Sequence, residues 1–381
     1  LQDGDARAVY KNLDMDMRKY KKLKMYIHAE SLPTEAAIYD DDVSVFIRLG
    51  SDYKNNYYEY EIPLKVTAPG RYEGVNEDDP DRYLVWPIEN NLDLDFEMLQ
   101  EVKQQRNDDM RQLGSGVTLA RVYSMMDGAN KVSVMGNPNL SNVRTVMIGV
   151  RNPRRAGLTT IDDGLPKSAE IWVNELRLTD FDEKGGWAAN ARFTAKLADF
   201  GSVTVAGQTS KPGFGSIEQK LSERQKEEIN RYDISSNLEL GKFFPEKLNV
   251  RVPLYMGYSE NVKNPEYNPL DPDIPLSVAL SDPTKTEAEI KEIKYKAQDY
   301  TSMKSLNFNN VKVNKTSGKM RIYDLANWSA SYGFNETFHR DINTEFNTNR
   351  YITGALSYNY NATPKNYEPF KNVKFLSKPA F

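Results

Sequence analysis

Between Trp187 and Tyr360 the chain repeats one pattern: apolar or aromatic residues at every second position, with polar or small residues between them. Residues 248–258 alternate this way, as do Trp328, Ala330, Tyr332 and Phe334, and again Ile352, Gly354, Leu356, Tyr358 and Tyr360. A period of two puts successive side chains on opposite faces of a strand. Runs of roughly ten such residues exceed most globular strands and match a tilted strand crossing a bilayer. The pattern predicts three hairpins, at 187–210, 232–259 and 325–361, with a further strand starting near Phe370. They turn at Asp199-Phe200-Gly201, at Phe243-Phe244-Pro245-Glu246 and at His339-Arg340. Long loops join them: 211–231, with a charged helical stretch at 222–228, and 260–324, with Pro- and Asp-rich coil and then a helix near 286–297. Short turns on one side and long loops on the other are the asymmetry of an outer-membrane barrel, with the short turns usually in the periplasm.

Residues 1–182 read differently. Leu23, Met25, Ile27 and Ala29 face one way against Lys22, Lys24, Tyr26 and His28; Val43, Val45, Ile47 and Leu49 share a face; 57–64, 143–150 and 169–178 are further strands. Turn signals such as Gly50-Ser51-Asp52, Pro69-Gly70-Arg71 and Asn152-Pro153 separate them, which predicts a sandwich or jelly roll. Leu92, Phe96, Leu99 and Val102 have helical spacing and predict one helix over 92–112. A boundary falls at Asp180 to Gly186. The expected fold is therefore all-β: a jelly-roll-like β-sandwich over 1–182, then antiparallel transmembrane β-barrel hairpins over 187–381 that belong to a larger barrel, with short helices in the long loops.

Composition narrows the function. Of 381 residues 39% are hydrophobic, and mean hydropathy is −0.67, with no apolar run near the roughly 18 residues a spanning helix needs. That excludes a helical membrane protein and leaves a barrel open. A net charge of −4 offers no basic field, so nucleic acid is not an expected partner. The 23 tyrosines suit sheet faces and membrane interfaces. There are no cysteines, hence no disulfide, thiolate metal site or thiol nucleophile. The chain opens at Leu1-Gln2-Asp3 and closes at Pro379-Ala380-Phe381, which leads us to expect both ends to be cuts in a longer protein.

Candidate chemistry is sparse. His28 and His339, the only histidines, lie in different expected domains, on a strand and in a turn, and read as structural residues rather than as a catalytic or metal pair. No GxSxG, HExxH or Walker motif occurs. We expect no enzyme, no cofactor and no metal site. Asp40-Asp41-Asp42, Glu77-Asp78-Asp79-Pro80-Asp81 and Asp271-Pro272-Asp273 could offer oxygens to calcium, but none has EF-hand spacing, and acidic loops are usually solvated. Trp86, Trp172 and Tyr57, Tyr58 and Tyr60 could form a sugar-stacking platform, against the plainer reading that they pack in sheets. The row Trp328, Tyr332, Phe334 and Phe338 suits either lipid or a soluble core.

Several blocks resemble the SprA/Sov family: Ala169-Glu170-Ile171-Trp172-Val173-Asn174-Glu175-Leu176-Arg177-Leu178-Thr179-Asp180-Phe181, Trp187-Ala188-Ala189-Asn190-Ala191, Leu197-Ala198-Asp199-Phe200-Gly201, and Asn264-Pro265-Glu266-Tyr267-Asn268-Pro269-Leu270-Asp271-Pro272-Asp273. The likeness spans essentially the whole chain, as an internal segment of a much longer protein. Members are very large outer-membrane proteins of gliding and related bacteria, the translocon of the type IX secretion system.

The resemblance implies a giant single-chain barrel to which this chain gives some strands. Folded cargo proteins with C-terminal signals would pass through its lumen to the cell surface, giving a role in protein transport linked to gliding motility. Expected partners are the remaining segments of the barrel, a smaller outer-membrane barrel shuttle protein, a periplasmic plug protein, the cargo and the lipid bilayer. Within that frame Trp328, Tyr332, Phe334, Tyr358 and Tyr360 are expected to face lipid or its interface. Arg192, Lys196, Asp233, Asn237 and Glu239 are expected to face the lumen. Other classes compete: a cell-surface carbohydrate-binding sandwich, or a nutrient-uptake or lipopolysaccharide-insertion barrel.

Overall fold

The computed structural model describes residues 1–73, 79–154, 163–183, 185–220 and 223–362. The strand expected near Phe370 lies outside them, as do Glu77 and Asp78 of one acidic run. The described chain is mostly strand and forms two compact units: 1–186 with 215–226 and 265–297, and 187–214 with 227–264 and 298–381.

The first unit begins with β1 (Ala6–Met15), β2 (Tyr20–Ser31), β3 (Ser44–Gly50) and β4 (Tyr57–Pro63), followed by helix α1 (Pro80–Val85) and β5 (Leu92–Asp95). Helix α2 (Phe96–Arg111), β6 (Tyr123–Asp127), β7 (Asn130–Met135), β8 (Val143–Arg151) and β9 (Ala169–Phe181) complete it. The strands make a six-stranded sheet in the order β1-β8-β3-β4-β7-β6 and a three-stranded sheet β5-β2-β9. One core joins them: Leu23, Met25, Ile27 and Ala29 of β2, Val45, Ile47 and Leu49 of β3, Tyr58, Tyr60 and Ile62 of β4, and Phe96, Leu99 and Val102 of α2. The alternation read from 22–29 and 43–49 thus becomes the inner faces of the two sheets.

The expected helix over 92–112 divides. Leu92 and Leu94 extend into β5 and pair with Met25 and Leu23, and Asp95 caps α2 by accepting from the Glu97 N–H at 3.0 Å. β1 was not expected from the pattern. It pairs with β8 at the sheet edge, is exposed along most of its length, and so lacks the one-sided burial that writes alternation into a sequence.

The second unit contains β10 (Ala188–Leu197), β11 (Gly201–Ser210), β12 (Glu227–Glu239), the two-residue β13 (Val250–Arg251) and β14 (Pro253–Pro265). The chain then forms β15 (Tyr267–Asn268), β16 (Asp271–Pro275), α3 (Leu276–Ser281) and α4 (Glu287–Ala297), all within the first unit, before β17 (Asp299–Val313), β18 (Trp328–Arg340) and β19 (Asn347–Tyr358) return to the second. The sheet runs β10-β11-β12-β14-β17-β18-β19, and every register assigned within it is antiparallel. Among the described residues β10 and β19 are its edges, so there the sheet is open and not a closed ring.

Three expectations change here. The stretch 260–324 is not one long loop, because β17 crosses the sheet between β14 and β18. Its alternation is interrupted by Lys304 among Ser302 and Leu306, which hides it from a periodicity reading. The charged stretch 222–228 is not one helix: Glu223 lies in a 3-10 turn, and Glu227 and Glu228 open β12, where Lys211 Nζ pairs with Glu228 at 2.5 Å. His339 sits in β18 rather than in a turn, and the β18–β19 connection falls after Arg340.

Candidate functional site

Register alone sorts the side chains of the β10–β19 sheet onto two faces. On one face of β10–β12, Phe193 pairs across to Val205 and Val205 to Ile234; Ala191, Gly207 and Tyr232 form the next row, and Ala195, Val203 and Ser236 the row beyond. The opposite face carries Asn190, Arg192, Thr194 and Lys196 of β10, Ser202, Thr204 and Gln208 of β11, and Arg231, Asp233, Ser235 and Asn237 of β12. Of the five residues read from the sequence as lumen-facing, Arg192, Lys196, Asp233 and Asn237 lie on this polar face. Arg192, Lys196 and Asn237 are exposed. Asp233 pairs with Arg231 at 3.0 Å, and Glu239 closes the following turn by accepting from the Val252 N–H at 2.6 Å.

The same segregation continues through β14, β17, β18 and β19. Leu254, Phe308, Tyr332 and Gly354 form one row, and Met256, Leu306, Phe334 and Ile352 the next. Trp328 and Tyr358 pair at the end of this face, with ring centroids 5.1 Å apart. Of the aromatics assigned to lipid, Trp328, Tyr332, Phe334 and Tyr358 therefore share one face; Tyr360 lies beyond the end of β19 and is half-buried. The reverse face carries Ser305, Asn335 and Tyr351, then Asn307, Gly333 and Thr353.

Among the described residues no core covers most of this apolar face, although Leu254 is buried. Phe193 is 68% exposed, Ile352 66% and Leu356 69%, although neighbouring strands satisfy the backbone. Contiguous exposed apolar surface of this kind marks an interaction site in a folded protein. From Trp328 to Phe334 it extends about 20 Å along the strand at roughly 3.4 Å per residue. It then meets a charged row, in which Glu336 takes Lys304 at 3.1 Å and also pairs with Arg350.

In the first unit the most enclosed polar cluster joins α2 to the segment 265–297. Lys103 Nζ donates to Asp273 Oδ2 at 2.9 Å and to the Pro138 carbonyl at 2.9 Å, and lies 2.7 Å from Asp271 Oδ1. The Tyr58 hydroxyl donates to the same Asp273 oxygen at 2.7 Å, and the Leu140 N–H donates to its other oxygen. Burial, then the adjacent Asp273 charge, pushes the Tyr58 hydroxyl far above its ordinary range, so it stays a donor. Nearby, Arg18 donates to the Pro272 carbonyl at 3.1 Å and lies over the Tyr267 ring, while Lys19 pairs with Glu266 at 2.8 Å. Lys103 and Arg106 fall on the apolar stripe of α2 with Phe96, Leu99 and Val102, which was the one available sequence signal that they are buried.

That cluster also answers the calcium reading of Asp271-Pro272-Asp273: the carboxylates already face an ammonium and are not an acidic cage. Asp42 is likewise taken by Lys167 at 3.1 Å and Asp41 by Lys65 at 3.5 Å. Among the described residues no group of three or more His, Asp or Glu is arranged to hold a metal ion.

The sugar platform changes composition. Tyr57, Tyr58 and Tyr60 are buried and cannot stack on a ligand. Trp86 and Trp172 instead flank His28, at centroid distances of 5.8 and 5.9 Å, and Trp172 is 55% exposed. His28 is buried with Nδ1 2.6 Å from the Val85 carbonyl; a carbonyl only accepts, so Nδ1 carries the proton. His339 lies 3.1 Å from Asp341 and belongs to the second unit.

A family model described as "motility related/secretion protein", SprA_N, matches residues 1–280. No curated protein matches the chain.

Proposed function

The chain belongs to the SprA_N family of motility related/secretion proteins, and we propose that it forms part of the wall of a large outer-membrane β-barrel through which folded cargo proteins reach the cell surface. One observation carries the proposal: among the described residues, a sheet of long antiparallel strands has an uncovered apolar face, a polar reverse face and two unpaired edges. In hydrocarbon an unpaired strand edge is prohibitive, so β10 and β19 pair with further strands of the same barrel. The apolar face meets lipid, and the face bearing Arg192, Lys196, Asp233 and Asn237 lines a hydrated conduit.

A smaller barrel that receives cargo and a plug that seals the pore act as partners, and cargo carries C-terminal signals. The role is that of a passage and involves no catalysis. A family of motility and secretion proteins accords with the cell envelope, and we place the chain in the outer membrane of a Gram-negative bacterium.

Single cysteines test the wall in membranes holding the full-length protein. A water-soluble maleimide should label Arg192→Cys and Asn237→Cys, while Phe193→Cys and Ile352→Cys should react only with a probe that partitions into the bilayer. Equal labelling of both faces by the water-soluble reagent would overturn the assignment.

A further inference from the structure

We infer that the sandwich unit carries a saccharide-binding cleft between α1 and the bulged part of β9. The cleft has a volume of about 480 Å³ and is lined by Tyr26, Arg82, Tyr83, Trp86, Asn174 and Glu175, with Ile88 and Asn91. That volume lies in the range of small-molecule sites, roughly 300–1,000 Å³. Three lining residues are aromatic. Tyr83 is 62% exposed, and Trp86 is held from behind by the fixed His28 ring. Aromatic faces presented to solvent beside polar groups suit a pyranose, which offers an apolar C–H face and a rim of hydroxyls.

The polar groups are unspent. Among the described residues nothing pairs with the Arg82 guanidinium or the Asn174 carboxamide. Asn91 Oδ1 is buried without a hydrogen-bond partner, a cost that a ligand hydroxyl donating to it would remove. Tyr26, by contrast, is already oriented: Arg177 donates to its hydroxyl at 3.1 Å and to Glu175 at 3.1 Å.

The backbone is shaped for the same place. Lys24 pairs with Arg177 and Tyr26 with Asn174, so β9 carries one residue more than β2 between these pairs. The extra residue is accommodated where Glu175 adopts φ +56°, in the left-handed region that a non-glycine residue occupies at a cost. A bulge re-aims side chains, and this one presents Asn174 and Glu175 together at the cleft. The same bulge resets the alternation of β9, so that Leu178 and Ile171, of opposite parity, both pack on the core beside Leu23 and Ala29.

The test uses the full-length protein in a detergent without a sugar headgroup, applied to an array of free envelope-type oligosaccharides and of the same saccharides on peptides. Retention of at least one saccharide is expected. The two arms distinguish a free polysaccharide from a glycan on a passing protein. Tyr83→Ala and Asn174→Ala should each weaken the retained saccharide roughly ten-fold, the order of a lost aromatic stack or a paired polar group. Tyr39→Ala, an exposed aromatic outside the cleft, should leave affinity unchanged, and an unaltered melting temperature shows that the variants fold. No retention by the native protein, or retention that survives the Tyr83→Ala/Asn174→Ala double variant, overturns the proposal. Neither outcome bears on the labelling of the sheet.

Discussion

Lys103 Nζ sits 2.9 Å from Asp273 Oδ2, with Lys103 1% exposed and Asp273 fully buried. One partner comes from a helix of the sandwich and the other from a segment 170 residues further on. Removing one charge leaves the other buried and uncompensated, so Lys103→Met should cost about 3–5 kcal/mol. The Lys103→Met/Asp273→Leu pair should recover only part of that, because Asp271, 2.7 Å from Lys103 Nζ, keeps its charge and the Tyr58 hydroxyl loses its acceptor. Denaturant unfolding reads the stability, and protease cleavage within 265–297 reads whether the segment has come loose.

The acid limb of stability should report on Glu61. Burial pushes its carboxyl up, but hydrogen bonds from Lys131 and Ser44 and the charge of Arg151 prevail and hold it below the ordinary value. A depressed pKa means that the native state holds the proton less tightly than the unfolded chain. Its contribution is therefore complete above the unfolded value near ~4.3 and is lost as pH falls through the lower native one. Glu61→Gln should flatten unfolding free energy against pH below about 5 and lower the plateau at neutral pH, as followed by circular dichroism.

Arginine placed on either face of the β10–β19 sheet should separate the two. Ile352→Arg puts a guanidinium on the apolar face and should cost about 2–4 kcal/mol near a bilayer midplane. Thr353→Arg, one residue along on the polar face, should stay within about 0.5 kcal/mol. Yield and trypsin resistance in the membrane fraction compare them; equal loss from both variants would count against a lipid-facing side.

Glycine at position 175 should relieve the bulge. Glu175→Gly removes the left-handed penalty and should raise stability by about 1 kcal/mol, whereas Glu175→Ala keeps the penalty and gains nothing. The lost ion pair to Arg177 is exposed and worth little. Thermal unfolding of the two variants side by side decides it.

Alternation carries the fold wherever one side of a strand is buried and the other is not. Leu23 to Ala29 and Val43 to Leu49 could be read directly, and so could the shared face of Trp328, Tyr332 and Phe334. β1 is exposed on both sides, and β17 bears Lys304 on its apolar face, where Glu336 neutralises it; each breaks the period that would announce it. The sandwich polar cluster was less legible. A lysine within a helix reads as solvated, and nothing near Lys103 points to Asp273. Tyr57, Tyr58 and Tyr60 misled for a related reason: three tyrosines in a short run resemble a platform, yet both faces of β4 are covered. The cleft at Asn174 depends on a bulge, which periodicity cannot reveal.

The chain returns to the sandwich at 215–226 and at 265–297 after strands of the sheet have been laid down between. Synthesis from the amino end thus delivers Lys103 long before the carboxylate that neutralises it. Until Asp273 emerges, the sandwich must either stay open around an ammonium or keep that ammonium in water. Its closure is therefore timed by the growing chain: β10, β11, β12 and β14 all exist before that ion pair can form. A nascent protein halted anywhere before residue 273 carries an unfinished sandwich, which a protease or chaperone can recognise as incomplete.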